Sequence, residues 1–299
     1  MTALVARPAV RPFAKGHGAG NDFLVLPDPH GRFPLTAADV VRLCDRRTGI
    51  GADGILRAVR STASSEAAAM AADADWFMDY RNADGTPGQM CGNGIRVLAR
   101  YLVDAGHRPP GAFTLATRSG VRTVHVPRRS ADFDGPVTVD MGQPRLPGPS
   151  GITVSTGTRS WPALHVDMGN PHAVAFVDDL SHPGTLTSPP VVHPAGAYPH
   201  GVTVEFVVRR GPNDLALRVH ERGVGETRAC GTGACAAVAA ALQASPATAT
   251  YTVDMPGGRL CVDVLADGSM QLTGPAAIVA HGTVRLQGAV REPEMSEQP

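Results

Sequence analysis

Short runs of alternating apolar and polar residues occupy most of the chain, and glycine, proline and asparagine stand between them. Alternation of this kind, bounded by turn residues, is typical of half-buried β-strands. The pattern therefore predicts a protein that is mostly β-structure. The predicted strands are 121–126, 137–141, 164–168, 172–177, 203–208, 217–220, 251–255 and 259–264.

Three segments carry helix signals, namely 36–45, 92–105 and 232–244. Thr36 and Asp39 suit the cap of the first, and Gly106 suits the end of the second. The third has a small or apolar residue at every position from 234 to 242, so it lacks a polar face. Such a helix is expected to be buried on all sides, which a surrounding sheet would provide. Residues 144–151, with three prolines and two glycines, predict a linker.

The same motifs occur twice in the same order. A Gly-Asn pair precedes a predicted strand at Asn21 and again at Asn170, 149 residues later. Cys-Gly-X-Gly opens a predicted helix at Cys91 and again at Cys230, 139 residues later. The repeat predicts two related halves. Halves of this kind usually face one another across a pseudo-two-fold axis, which would bring both helix starts to one cleft.

The composition of the chain excludes or disfavours several classes of protein. The chain has 299 residues, of which 43% are hydrophobic and 18% charged, and this excludes a disordered chain. Its 27 basic and 27 acidic residues cancel, so charge gives no reason to expect binding to nucleic acid or to an anionic membrane. No apolar stretch approaches the roughly 20 residues of a membrane helix. We therefore expect a cytoplasmic protein that acts on a small molecule.

Two of the five cysteines are the candidate reactive groups. A cysteine at a helix start lies at the positive end of the helix dipole, which predicts a pKa below the usual value of about 8.5. The glycines that follow leave backbone N–H groups open to an anion such as a carboxylate. Two such thiols facing one carbon form a two-base site, in which one thiolate removes a proton and the opposite thiol returns one. A single copy would be explained by packing, but packing does not explain cysteine at both Cys91 and Cys230. The other three, Cys44, Cys235 and Cys261, are assigned to packing.

The motifs resemble those of the diaminopimelate epimerase family along nearly the whole chain. The matching segments are GHGAGNDF (16–23), RTGIGADG (47–54), YRNADG (80–85), MCGNG (90–94), GNPH (169–172), HERGVGET (220–227) and CGTG (230–233). The family implies an α+β fold of two pseudo-symmetric domains, each a curved, mostly antiparallel sheet around a central helix. It implies a first domain of residues 1–137 and 276–299, which carries Cys91, and a second domain of residues 138–275, which carries Cys230. A homodimer is usual in this family.

The resemblance also implies a reaction, the cofactor-independent interconversion of LL- and meso-diaminopimelate for lysine and peptidoglycan synthesis, with no metal. It makes Cys91 and Cys230 the catalytic pair, the first on the L face and the second on the D face. His172 and Glu221 are each placed near one thiol. A guanidinium can hold a distal carboxylate at two points, which suits Arg222. The expected substrate contacts are Asn21, Asn82, Gly92, Asn93, Asn170, Thr203, Arg222, Gly231 and Thr232.

Thr203 departs from the family pattern, which commonly has asparagine there. An amide offers two donors and an acceptor where a hydroxyl offers one donor, so the substrate is less certain than the reaction type. A related racemase of another amino acid, like the proline and hydroxyproline racemases, is the alternative. A binding protein that has kept the cleft without turnover is a second alternative, which the presence of both cysteines disfavours.

Three other motifs are set aside. The G-x-G-x-x-G pattern at 49–54 has neither a strand before it nor a helix after it, as dinucleotide binding requires. A pyridoxal phosphate racemase needs a lysine that forms a Schiff base with the cofactor. Lys15 is the one lysine of the chain, and its position directly before a glycine-rich turn does not favour this role. Cys230 and Cys235 lack a second ligand pair at the spacing of a structural zinc site.

Overall fold

The computed structural model describes residues 9–33, 35–128, 135–146, 151–243 and 248–286. Within these residues there are three α-helices and eighteen β-strands. The helices are α1 (Ala37–Cys44), α2 (Gly92–Asp104) and α3 (Gly231–Leu242). The strands are β1 (Ala9–Gly18), β2 (Asn21–Pro27), β3 (Gly54–Arg60), β4 (Trp76–Asn82), β5 (Gly111–Thr117), β6 (Gly120–Val126), β7 (Val137–Gly142), β8 (Thr153–Thr156), β9 (Arg159–Asp167), β10 (Pro171–Phe176), β11 (Val191–His193), β12 (Thr203–Gly211), β13 (Asp214–Glu221), β14 (Gly225–Thr227), β15 (Ala249–Met255), β16 (Gly258–Val264), β17 (Met270–Gly274) and β18 (Ala277–Leu286).

The predicted helices are confirmed. Thr36 and Asp39 form a capping box at the start of α1, in which each side chain accepts from the other residue's backbone N–H. Gly106, with φ of +73°, follows α2 in the left-handed conformation that ends many helices. Helix α3 begins at Gly231, one residue before the predicted start, and the predicted end at Ala244 lies outside the described residues.

The strand pairings of the first half recur in the second. In order, β1–β2 is antiparallel, β2–β3 parallel, β3–β4 antiparallel, β4–β5 parallel, and β5–β6 and β6–β7 antiparallel. The second half repeats this series as β9–β10, β10–β12, β12–β13, β13–β15, β15–β16 and β16–β17. Strand β7 also pairs with β17 and joins the two series. The predicted α+β fold of two related halves, mostly antiparallel, is confirmed.

Each half packs its sheet around one helix. Helix α2 contacts β1, β2, β6 and β7, and α3 contacts β9, β10, β12, β13, β16 and β17. Every residue of α2 from Gly92 to Leu102 is buried. All residues of α3 are buried except Thr232 and Leu242, as its lack of a polar face predicts. No helix in the described part of the chain is long and apolar enough to cross a membrane.

The last described strand returns to the first half, because β18 pairs antiparallel with β1. This pairing supports grouping 276–286 with the half that carries Cys91. Residues 1–8, 34, 129–134 and 287–299 of the predicted first domain lie outside the described residues, and the exact domain boundaries stay a prediction. In the predicted linker, Arg145 and Asp167 exchange backbone hydrogen bonds of 2.8 Å, while 147–150 lie outside the described residues.

Candidate active site

Two cysteines occupy the N-cap positions of the two central helices in almost the same geometry. Cys91 caps α2 with φ of −139° and ψ of 118°, and Cys230 caps α3 with φ of −130° and ψ of 117°. The N–H of Gly94 donates to Cys91 Sγ at 3.4 Å, and the N–H of Gly233 donates to Cys230 Sγ at 3.4 Å. Each sulfur therefore takes the place of the oxygen that usually caps a helix.

The two helix starts are in contact. A Cβ added to Gly92 would lie 3.3 Å from the Cα of Gly231. A Cβ added to Gly231 would lie 3.2 Å from the Cα of Gly92 and 2.8 Å from Leu272 Cδ2. Glycine at both positions permits this approach. The positive ends of both helix dipoles, each headed by a thiol, thus meet at one place.

The other predicted site residues lie at the matching ends of strands in both halves. Asn21 is the first residue of β2, and Asn170 directly precedes β10. Thr203 is the first residue of β12, while Asn82 and Glu221 are the last residues of β4 and β13. Because β4 runs antiparallel to β3 and β13 runs antiparallel to β12, these starts and ends meet at one edge in each half.

Asn21 and Asn93 form a hydrogen-bonded chain beside Cys91. Asn93 Nδ2 donates to Asn21 Oδ1 at 3.2 Å and to the carbonyl of Ala229, in the other half, at 3.0 Å. Asn21 Nδ2 donates to Asp53 Oδ2 at 2.7 Å, which fixes the amide with Oδ1 on the side of the thiol. Cys91 Sγ lies 3.8 Å from that oxygen. Asp53 is thus a supporting residue that sequence reasoning did not assign.

Arg96 is a fully buried cation on α2 that sequence reasoning also missed. Its Nη1 donates to the carbonyl of Gly92 at 3.0 Å, and its Nη2 donates to Asn93 Oδ1 at 2.7 Å. Among the described residues no carboxylate lies within ion-pair distance of it. Burial lowers the pKa of Arg96 to about 10. The guanidinium orients Asn93, and its charge favours a thiolate at Cys91.

Cys230 has a different set of neighbours. Its Sγ lies 3.4 Å from Thr232 Oγ1, and the thiol interacts with the carboxyl group of Glu221. Thr227 Oγ1 donates to Glu221 Oε1 at 2.5 Å. Burial raises the pKa of Glu221, although the hydrogen bonds from Thr227 and Cys230 act in the opposite direction. The carboxyl group is therefore placed where it can exchange a proton with the thiol.

Both thiols have raised pKa values, so the predicted lowering by the helix dipole is wrong for both. Burial raises the pKa of Cys91 to about 11, against the effect of the Gly94 N–H. Burial also raises the pKa of Cys230 well above its usual range, and the charges of Glu221 and Glu205 add to this effect. Removal of the sulfur from water outweighs the helix N-terminus. Each thiol therefore needs a base to form its thiolate at neutral pH.

His172 pairs with an acid that sequence reasoning did not assign. His172 Nδ1 and Glu205 Oε1 are 2.6 Å apart, and both side chains are fully buried. His172 Nε2 and Glu205 Oε2 have no hydrogen-bond partner among the described residues. The signal in the sequence was Glu205 itself, a charged residue within the otherwise apolar run VEFVV (204–208).

Thr203 and Arg222 lie together at the far end of the site. The N–H of Arg222 donates to Thr203 Oγ1 at 3.3 Å. The Arg222 side chain is exposed and lies over Gly201. Among the described residues its one hydrogen-bond partner is the carbonyl of His200, 3.4 Å from Nη1. Most of its donors are thus available to a ligand.

Three further residues of the matching motifs are Asn82, Asn170 and Tyr80. Asn82 Nδ2 donates to Thr86 Oγ1 at 3.0 Å, and the Asn170 carbonyl accepts from the N–H of Met168. No hydrogen bond in the described part of the chain links either asparagine to a thiol. Burial raises the pKa of Tyr80 well above its usual range, and the nearby charges of Cys91, Glu221 and Cys230 contribute. Sequence reasoning gave Tyr80 no role, although it lies in one of the motifs.

The structure shows where the motifs set aside in the sequence analysis lie. Lys15 Nζ is 2.7 Å from Asp22 Oδ2 and donates to the carbonyl of Gly51, so it is held in an ion-pair network. Gly54 begins a strand rather than a helix, which does not fit a dinucleotide-binding turn. The described residues contain no group of three or more His, Cys, Asp or Glu side chains arranged to hold a metal ion.

Solved structures with the same fold define the class to which the chain belongs. A phenazine biosynthesis protein of the PhzF family from Bacillus anthracis has a TM-score of 0.65 at 14% identity, covering 93% of this chain and 100% of that one. A hydroxyproline epimerase from Agrobacterium vitis, with bound trans-4-hydroxy-L-proline, has a TM-score of 0.63 at 16% identity, covering 96% and 95%. The protein is therefore an α+β protein of this two-half class.

Sequence comparison places the chain within the class. The family model described as "Diaminopimelate epimerase" matches residues 13–147 and 164–279. A diaminopimelate epimerase from Streptomyces coelicolor is 57% identical over 277 residues, which are 90% of this chain and 94% of that one. A diaminopimelate epimerase from Thermobifida fusca is 47% identical over 278 residues, covering 92% and 98%. The chain belongs to the diaminopimelate epimerase family.

Proposed function

We propose that the protein is a cofactor-independent isomerase that interconverts LL- and meso-diaminopimelate in lysine and peptidoglycan biosynthesis. The observation that carries this proposal is the contact between two helix starts, each capped by a cysteine. The relatives named diaminopimelate epimerase, at 57% and 47% identity over nearly the whole chain, support the substrate.

The reaction inverts one carbon held between the two sulfurs. One thiolate removes the α-proton from one face, and the opposite thiol delivers its proton to the other face, so the stereocentre inverts without a turn of the substrate. The substrate α-carboxylate and the enediolate that forms from it bind the N–H groups of Gly92, Asn93, Gly231 and Thr232 at the two helix starts. These groups act without a metal because both helix dipoles favour negative charge at this place.

Acid and base roles follow from the neighbours of each sulfur. Since burial raises both thiol pKa values, Glu221 and His172 are the groups that take up a thiol proton. Glu221, which interacts with Cys230, is one such group. Transfer of a proton from a thiol to one of these bases keeps the total charge of the cleft constant. This limits the cost of forming a thiolate away from water.

The far end of the substrate carries an ammonium and a carboxylate of its own. The exposed guanidinium of Arg222 binds that carboxylate in two-point geometry. Asn82, Asn170 and Thr203 supply further hydrogen bonds, with Asn21 nearer the reacting carbon. This arrangement selects an amino acid with a second charged end.

The same proposal includes a homodimer in the cytoplasm. All five cysteines are free, which suits a reducing compartment. The homodimer rests on the family resemblance, and light scattering on the purified protein tests it by giving twice the mass of the 31.0 kDa chain.

The first prediction concerns the two thiols. Cys91→Ala and Cys230→Ala should each lower kcat/KM for epimerisation by at least about 10³-fold, because each face of the carbon loses its acid or base. The measurement is conversion of LL-diaminopimelate in deuterated water, followed by circular dichroism and by deuterium at the α-carbon. Chelator treatment of the wild type should leave the rate unchanged.

Cys235→Ala is the matched control, since Cys235 is a buried thiol on α3 only five residues from Cys230. It should retain most of the activity, as should Cys44→Ala and Cys261→Ala. A Cys230→Ala protein that still epimerises diaminopimelate would refute the two-thiol mechanism.

A racemase of another amino acid is the second candidate. The observation that favours it is Thr203, whose hydroxyl already accepts the N–H of Arg222. Exchange of α-hydrogen for deuterium across a panel of amino acids separates the two candidates, because the proposal requires diaminopimelate to be the best substrate.

A further inference from the structure

The two halves differ at one pair of buried positions beneath the catalytic helices. In the first half Phe23 on β2 and Leu56 on β3 occupy this place. In the second half the matching residues are His172 on β10 and Glu205 on β12. The match comes from the ladders, because Leu56 is two residues beyond the partner of Phe23, and Glu205 is two residues beyond the partner of His172.

Both pairs pack under the first turn of their helix in the same way. A Cβ added to Gly94 would lie 3.1 Å from Leu56 Cδ2, and a Cβ added to Gly233 would lie 2.7 Å from Glu205 Oε1. The latter Cβ position is also 3.4 Å from Cys230 Sγ. The Glu205 carboxylate and the Cys230 thiol therefore both lie beside this one Cβ position.

Packing alone does not account for the polar pair. All four side chains have no exposed surface, and the apolar pair of the first half fills its place with no polar atom. The polar pair leaves His172 Nε2 and Glu205 Oε2 unpartnered among the described residues. Each such buried atom is destabilising, because the hydrogen bonds it made with water in the unfolded chain are not replaced. The fold has an apolar solution to this position, so the acid and the imidazole point to a role in the chemistry.

We propose that Glu205 is a positioning residue that acts through His172 on Cys230. The carboxylate accepts the hydrogen of Nδ1 at 2.6 Å, which leaves Nε2 as the ring atom that takes up a proton. When the S–H bond of Cys230 breaks, sulfur keeps the electron pair and the proton passes to Glu221, which interacts with both Cys230 and His172. Glu221 then gives its proton to Nε2 of His172, and Glu205 balances the charge of the imidazolium. A nucleophilic thiol, an imidazole and a carboxylate act together in this order in other enzymes. The inference rests on the proposed function.

Other charged groups face this pair from neighbouring strands. Glu221 on β13 and His165 on β9 interact with His172, and Tyr80 on β4 interacts with Cys230. Glu205 as an isolated negative charge raises the pKa of Cys230. Acting through His172, it has the opposite effect, because it stabilises the imidazolium that accompanies the thiolate. If Glu205 acts only as a negative charge near Cys230, removing that charge should favour the thiolate. If Glu205 acts through His172, removing the charge should disfavour the thiolate.

The second prediction uses Glu205→Gln, which keeps an acceptor for Nδ1 but removes the charge. Iodoacetamide alkylation of Cys230 at neutral pH, followed by peptide mass spectrometry, should slow about tenfold, and kcat/KM should fall about 10–100-fold. Alkylation of Cys91 in the same sample is the internal control and should change less than about twofold. Faster or unchanged alkylation of Cys230 would overturn the proposal.

A double variant that copies the apolar pair of the first half tests whether the loss of activity is only a packing effect. His172→Phe combined with Glu205→Leu gives the second half the pair of the first, so it should fold with at least the thermal stability of the wild type. Its kcat/KM should fall by about 10²-fold or more. Retention of the wild-type rate and of the wild-type pH dependence of Cys230 alkylation would overturn the proposal.

Val174→Ala is the matched control for a packing defect, since Val174 pairs with Glu205 in the ladder and is fully buried. It should lower stability without changing the pH dependence of Cys230 alkylation. Alkylation uses no substrate, so a wild type that fails to epimerise diaminopimelate refutes the proposed function and leaves the test of Glu205 intact.

Discussion

The hydroxyl of Thr203 holds the backbone of Arg222. Its side chain is buried, with 4% of its surface exposed, and its Oγ1 accepts the backbone N–H of Arg222. The hydroxyl therefore positions the residue that carries the guanidinium, in addition to any contact with substrate. An asparagine at the same place could accept that N–H with its carbonyl and offer two further donors.

The third prediction is that Thr203→Asn epimerises diaminopimelate as well as the wild type or better, by up to about tenfold in kcat/KM for one added hydrogen bond. The measurement is kcat/KM for both isomers, with Thr203→Val as the control that has no acceptor for the Arg222 N–H. A wild type inactive on diaminopimelate, together with activity gained in Thr203→Asn, would leave the racemase of another amino acid as the better assignment.

Sequence reasoning found the residues that stand in repeated motifs and missed those that support them. Cys91 and Cys230 follow from the repeat alone, since packing gives no reason for cysteine in both copies. Glu205, Arg96 and Asp53 are outside the repeat. Glu205 and Asp53 are 33 and 32 residues from their partners His172 and Asn21, whereas Arg96 is three residues from Asn93 on the same helix and was missed because its burial is not a local signal. The pKa values also depend on burial, which outweighs the helix dipole and which the local sequence does not show.

At the scale of elements, the two helix starts determine where the chemistry takes place. Gly92 and Gly231 have no side chains to separate the starts of α2 and α3, and Leu272 packs over both glycines. In the proposed mechanism, this close approach places the two thiols on opposite sides of one carbon. It depends on the first residue of each helix more than on the rest of either helix.

The fourth prediction is that Gly231→Ala lowers the free energy of unfolding by about 1–3 kcal/mol, because its Cβ would be 2.8 Å from Leu272 Cδ2 and 3.2 Å from the Cα of Gly92. The separation of the helix starts should also reduce kcat/KM at least about tenfold. Gly196→Ala is the control, since a Cβ there meets no atom within 4 Å. Equal stability and activity in the two variants would contradict the close approach.

Helices were easier to predict than strands for a physical reason. Capping residues and the uniformly small residues of α3 are local signals, and all three helices were found. Strands β2, β3 and β4 have runs of consecutive buried residues and so lack the alternation that identifies a half-buried strand. Half of the residues of strand β18 are exposed, and the strand is held by pairing with β1, which is nearly the whole chain away in sequence.

At the scale of the whole molecule, contacts between the halves hold the active site together. Strands β7 and β17 pair across the halves, and Asn93 donates to the carbonyl of Ala229. The hydrophobic core is continuous through both halves. The repeated motifs predict that two halves exist and face each other. They do not predict the pairing of β7 with β17, because that ladder has no counterpart within either half.

The fifth prediction follows from the way the halves meet. Each catalytic sulfur belongs to the residue directly before one of the two touching glycines, so an oxidant such as diamide should join Cys91 to Cys230 when no substrate separates them. Activity should disappear and return with dithiothreitol. Substrate should slow the loss, and a Cys91–Cys230 linked peptide should appear in mass spectra.

The pH dependence of this oxidation identifies the reacting species. Because the thiolate attacks and burial raises the pKa of Cys91 to about 11, the thiolate fraction and the rate of inactivation should rise through the alkaline range. Cys235→Ala should behave as the wild type, since that buried thiol lies deeper along α3. Inactivation with oxidised single sulfurs and no linked peptide would mean that the two sulfurs do not reach each other across the cleft, and the two-thiol geometry would then have to be revised.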